Sequence, residues 1–147
     1  MAVSTVTGTA NAAVAPDGTT TATQFEITNS IPNSRRVYTF PFNAGTPIID
    51  RTVSVFVKAG TANELYMRGA SNNGAAIINL ATGQVTSNTS TSTITTVSYP
   101  NNWWRIVLTV NSGFAIIYTS LPSGTSGTYY LWGAMVEEGS FPTSYIP

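Results

Sequence analysis

The sequence predicts an all-β protein, a two-sheet antiparallel β-sandwich of the jelly-roll kind occupying residues 1–147 as one domain. Three observations predict it. Apolar and polar residues alternate with period two in many short runs. Gly, Pro and Asn break these runs at short intervals. No stretch places apolar residues at i, i+3, i+4 and i+7 over three capped turns, so helices are not expected. Eight or more short strands without helices form two packed sheets, and no internal repeat points to a solenoid or propeller. A chain of 147 residues buries about two-thirds of its unfolded surface, enough for a core without covalent staples.

The strands follow in order. Weaker ones are expected at Thr20–Ile27 and Arg36–Phe42, with Asp17-Gly18 as a turn before the first. The clearest is Thr52–Lys58, where Val53, Val55 and Val57 point one way and Thr52, Ser54, Phe56 and Lys58 the other. Both faces carry an apolar side chain, so the pattern also allows the inverse register with Phe56 inward. Leu65–Gly69 and Ala75–Leu80 come next, and Ala81-Thr82-Gly83 supplies a turn into Gln84-Val85-Thr86. The Ser/Thr-rich stretch Thr86–Thr96 reads as an exposed edge strand or hairpin, with a strand at Ser92–Tyr99. In Trp104–Val110, Trp104, Ile106, Leu108 and Val110 share a face opposite Arg105 and Thr109. Phe114–Thr119 is a further strand. In Tyr129–Val136, Tyr130, Trp132, Ala134 and Val136 share a face. The expected core is Val53, Val55, Val57, Trp104, Ile106, Leu108, Trp132 and Val136.

Composition narrows function. Cys and His are both absent, which removes disulfides, thiolate metal sites, the commonest general base and the usual pH switch. Six basic residues balance six acidic ones, and the only basic pair is Arg35-Arg36, so no stripe for nucleic acid exists. No apolar run reaches membrane-spanning length, and the N-terminal residues do not read as a secretory leader. Ser and Thr form roughly a quarter of the chain and supply the polar surface that charge does not. Such a surface meets protein or glycan with little ion desolvation.

Chemistry has few carriers. Glycoside hydrolysis needs two facing carboxylates, and the candidates are Asp17, Glu26, Asp50, Glu64, Glu137 and Glu138. Asp17 suits its turn, and Glu137 and Glu138 are neighbours on a strand and point to opposite faces. No G-x-S-x-G elbow activates a serine. Asp17 and Glu137 could serve a structural calcium, but no D-x-D-x-D spacing supports one. The chain is therefore expected to be non-enzymatic, with no catalytic residue, metal ligand or cofactor assigned. Binding has better candidates. Tyr99, Trp103 and Arg105 lie close in sequence, and Trp103 is expected on the sheet's outer face, opposite Trp104; Tyr129 is a further candidate. These four are read as ligand or interface residues, because exposed rings serve both sugar stacking and subunit contact.

The C-terminal third carries a distinctive pattern. Tyr130-Leu131-Trp132-Gly133-Ala134-Met135-Val136-Glu137-Glu138-Gly139-Ser140 precedes Pro142-Thr143-Ser144-Tyr145-Ile146-Pro147. Upstream stand Ala15–Ala22 (APDGTTTA), Ser54–Gly60 (SVFVKAG), Asn79–Val85 (NLATGQV) and Asn102–Ile106 (NWWRI). In this order they resemble a domain of tailed-phage structural proteins, similar to carbohydrate-binding modules and found in tail fibres, tailspikes and other virion proteins. Met135 stands where that pattern has Gln, and Asn102 where it has Gly. The resemblance implies a jelly roll and a place in the virion. On it rests the expectation of a cement subunit that decorates the capsid, forms a homo-oligomer such as a trimer, and contacts the major capsid protein or other virion proteins. The alternative it implies is a module of a tail fibre or tailspike that recognises host glycan.

Overall fold

The computed structural model describes residues 5–30, 36–39, 49–68, 76–88, 93–112 and 116–139. Eleven strands run through them: β1 (Thr5–Ala13), β2 (Ala22–Thr28), β3 (Arg36–Thr39), β4 (Ile49–Ala59), β5 (Glu64–Arg68), β6 (Ala76–Asn79), β7 (Val85–Asn88), β8 (Thr93–Tyr99), β9 (Trp103–Ser112), β10 (Ile116–Ser120) and β11 (Gly127–Glu138). One short 3-10 turn, Pro100–Asn102, joins β8 to β9. The first sheet has the order β1-β2-β11-β4-β9-β8, the second β3-β10-β5-β6-β7. Every pairing is antiparallel. Removing β1, β7 and β8 leaves β2-β11-β4-β9 facing β3-β10-β5-β6, the strand order of a jelly roll, so the predicted fold class holds.

Between the sheets lies an aliphatic core. Val53, Val55, Val57, Ile106, Leu108, Ile27 and Leu131 from the first sheet meet Leu65, Met67 and Ile78 from the second, all essentially fully buried. The expected inward face of β4 is therefore correct, as are Ile106 and Leu108. Trp104 lies opposite Val57 and points the same way, but it sits at the margin and is only partly buried. Its Nε1 donates to the carbonyl of Leu80 at 2.9 Å. The turn beneath it is the expected one. Asn79 Oδ1 accepts from the backbone N–H groups of Ala81 and Thr82, and Gly83 N–H donates to Asn79 O at 2.7 Å. Gly83 has φ +73°, and a Cβ there would collide with the Trp104 ring, so only glycine serves both the turn and the contact.

Trp132 is a correction. It pairs with Phe56 on the outer face of the first sheet and is half-buried there. The cause is a bulge: the β11–β4 register shifts between Trp132 and Met135, around Gly133 at φ +62°. Tyr130 and Trp132 precede the bulge and face outward. Ala134 and Val136 follow it and pack on the core. The single face expected for these four residues is split by one inserted position.

Phe56 is buried too, without any inversion of β4. Residues 51–57 are buried on both sides of the strand, because the outer face of the first sheet has a second cluster of its own, formed by Phe56, Trp103, Ala15 and Ala22. β1 was not expected as a strand. It pairs with β2 from Thr5↔Thr28 to Thr9↔Gln24, then again at Ala13↔Ala22.

Candidate functional site

The outer face of the first sheet is built on β4, β8, β9 and β11. Alternation places Trp103 and Arg105 of β9 on this face, and the register puts Tyr99 of β8 opposite Trp103 and Phe56 of β4 opposite Arg105. Phe56 is the hub. Its ring lies edge-on to Tyr99, with centroids 4.9 Å apart, and tilted against Trp132 at 5.4 Å. Tyr130 also packs on this cluster.

Trp103 and Arg105 share the face opposite Trp104, as alternation predicts, and the register adds Tyr99, which the sequence placed only near them in the chain. The expected exposure of Trp103 is not what the structure shows: it is 1% exposed. The β1–β2 connector folds over it. Trp103 Nε1 donates to Val14 O at 3.3 Å, and Ala15 packs beside the ring. The Asp17-Gly18 turn shapes that connector. Asp17 Oδ1 accepts from Thr19 N–H at 2.9 Å and Thr19 Oγ1 at 2.6 Å, while Ala15 N–H donates to Thr19 O and Gly18 N–H to Ala15 O. The Thr19 hydroxyl and N–H hold the Asp17 carboxyl below its ordinary value. Trp132 Nε1 ties the same connector from the other side, donating to Thr21 Oγ1 at 3.0 Å. Sequence spacing could place Trp103 on the outer face but could not report that a turn far away in the chain roofs it.

Arg105 is buried as well. Nη2 donates to Ser54 Oγ at 3.1 Å, the guanidinium carbon lies 5.6 Å from the Phe56 ring centre, and Nε has no hydrogen-bond partner among the described residues. Tyr129 faces the opposite way, fully buried between the sheets, where its hydroxyl and the Thr119 hydroxyl are 3.0 Å apart. It precedes Tyr130 by one residue, so it takes the core side of β11 and is no surface group. What remains accessible on this face is a shelf of half-buried Tyr99, Tyr130 and Trp132 over a floor of Phe56 and Trp103, with Val14 (52% exposed) and Val97 (48%) on its margin. Sequence reasoning missed Val14 and Val97. A valine marks no function until its exposure is known.

A second feature lies at one end of the sandwich. A cleft of about 380 Å3, of mixed polar and apolar lining, lies between Thr61, Ala62, Asn63, Glu64 and Asn79 on one side and Leu121, Pro122, Thr125 and Ser126 on the other. Its walls are held by loop bonds: Ser30 N–H to Thr125 O at 2.8 Å, Gly124 N–H to Ser30 O at 2.7 Å, Asn29 N–H to Ser126 Oγ at 2.8 Å and Leu80 N–H to Asn63 O at 2.8 Å. Among the described residues Glu64 is the only carboxylate in the lining, so no acid and base pair of a glycosidase is formed by them there. Among the described residues no three Asp or Glu side chains converge as a metal site. The cleft can hydrogen-bond a neutral polar group. No protein-family model matches the chain, and no curated protein matches it.

Proposed function

We propose that this chain is a non-enzymatic structural protein of a tailed-phage particle, a capsid-decorating subunit that binds virion protein through the outer face of its first sheet. The observation that carries this reading is the aromatic shelf. Tyr99, Tyr130 and Trp132 keep part of their rings accessible while the buried Phe56 and Trp103 hold them in place, and Val14 and Val97 extend the apolar margin. Rings on a rigid floor bring large contact area at low conformational cost, as interface anchors do. The resemblance of Tyr130–Ser140 to phage virion domains supports the same reading. A subunit that binds only the assembled shell stabilises it by mass action, by an amount that grows with the logarithm of its concentration over Kd.

The test uses Val97→Asp and Trp132→Ala in a sedimentation assay with particles of the parent phage. Val97 is exposed on an edge strand, so its substitution leaves the fold intact. Each is expected to weaken particle binding by about 2 kcal/mol or more, and wild-type binding is expected to change little between low and moderate salt. Unchanged binding by both variants, or steep loss with salt, would reject the shelf. This cleft, which sets amide and hydroxyl groups beside apolar ones, favours a second reading, a glycan-recognition module of a tail fibre or tailspike. Saturable binding of a host polysaccharide, abolished by Asn63→Ala and indifferent to Val97→Asp, would select it.

A further inference from the structure

β1 is an edge strand with unusual chemistry. Among the described residues it pairs on one side only, with β2. Seven of its nine residues are exposed, and only Val6 and Ala13 are partly buried. An open edge is normally protected by Lys, Pro or an inward charge. Thr5–Ala13 (TVTGTANAA) has none of these. Its protection is a bulge, where the register with β2 shifts between Thr9 and Ala13 around Asn11 at φ +54°. The regular, pairable edge is therefore Thr5–Thr9.

That segment is palindromic in its chemistry. Thr5, Thr7 and Thr9 share the outer face, and Val6 and Gly8 share the side toward the second sheet, where Val6 packs on the core. An antiparallel pairing with a second copy, with its two-fold axis through Thr7, places Thr5 opposite Thr9 of the other copy and Thr7 opposite its own mate. Every cross-strand pair on the outer face is then Thr with Thr, a favourable pair in sheets. On the other side Val6 falls opposite Gly8. The half-buried Phe25 ring already covers Gly8, 3.1 Å from where a Cβ would stand, so Val6 of the second copy would pack against that ring. The residue on the two-fold axis faces its own copy, so a charge at position 7 would meet itself; the uncharged Thr7 avoids that penalty.

We infer that Thr5–Thr9 of β1 is a homotypic docking edge that joins the first sheets of two copies into one continuous antiparallel sheet, centred on Thr7. The inference deepens the proposed role as an assembling subunit and rests on that reading for its biological setting, not for its geometry. Five paired residues make a contact smaller than the roughly 1,200 Å2 of a stable interface, so the isolated dimer is expected to be concentration-dependent. The contact generates even-numbered assemblies only.

The absence of Cys from the chain makes unique thiols the direct test. Under mild oxidation Thr7→Cys should cross-link to a covalent dimer, because paired strands bring opposite Cα atoms within disulfide reach. Thr5→Cys and Thr9→Cys should each stay monomeric alone and cross-link when mixed. Thr7→Lys should weaken the dimer at least about tenfold in sedimentation equilibrium with an unchanged circular dichroism spectrum, a loss of about 1.4 kcal/mol. Efficient self-cross-linking of Thr9→Cys, no cross-linking at position 7, or a dimer indifferent to Thr7→Lys would overturn the pairing. So would a wild-type chain that is only monomeric or trimeric at high concentration. Cross-links in this pattern from a chain that ignores phage particles would leave the edge standing and reject the virion role. Particle binding without cross-links would do the reverse.

Discussion

β4, with three valines, and β1, with three threonines and one valine, are both long strands of the same sheet, yet they have opposite fates. β4 is buried on both faces from Arg51 to Val57, while β1 is exposed on both along most of its length. The difference is position in the sheet. β4 lies between β11 and β9, under the aliphatic core on one side and the Phe56–Trp103 cluster on the other. β1 lies at the edge, beyond β2, and is held mainly by its ladder. Central strands thus carry stability, and the edge is free to carry contact.

The largest effect should come from the outer side of β4. Phe56→Ala removes the hub between Tyr99 and Trp132 and is expected to cost about 3–5 kcal/mol in urea unfolding, the range for an aromatic core truncation. A cost below about 1 kcal/mol would mean that this face is surface and that the comparison fails. An intermediate effect is expected from the roof over that face. The Asp17 carboxyl is held below its ordinary value by Thr19, so its stabilising contribution is fully present above the usual carboxylate range and is lost as pH falls through the lowered value. Asp17→Asn should flatten that part of the acid-stability profile, read by thermal unfolding across acidic pH. The smallest effect belongs to β1. Thr7→Val on the exposed edge should change monomer stability by no more than about 0.5 kcal/mol, measured below the dimerisation range.

Much of the fold is legible in residue order. The inner faces of β4 and β9, the Asn79–Gln84 turn and the Asp17-Gly18 turn all follow from period-two alternation and turn chemistry. β11 is only half legible, because the inserted position at Gly133 reverses every side chain after it and a glycine alone does not announce a bulge. β1 escaped notice because Thr, Gly and Ala give no hydrophobic alternation to read; its strand state comes from pairing with β2. For the candidate site, the face shared by Trp103 and Arg105 could be read, but not that Tyr99 joins it across β8 and β9, nor the face of Tyr129, since both depend on register.

By itself, then, the sequence determined an all-β jelly roll and the polar, nearly uncharged surface, since both follow from local periodicity and composition. Tertiary structure alone decided that Trp103 and Arg105 are buried, that Tyr99, Tyr130 and Trp132 form the accessible shelf, and that β1, among the described residues, pairs on one side only. The physical reason is that burial depends on what lies across the sheet. The residues that roof Trp103 lie about ninety positions away in the chain, at Val14 and Ala15, beyond the reach of any local pattern.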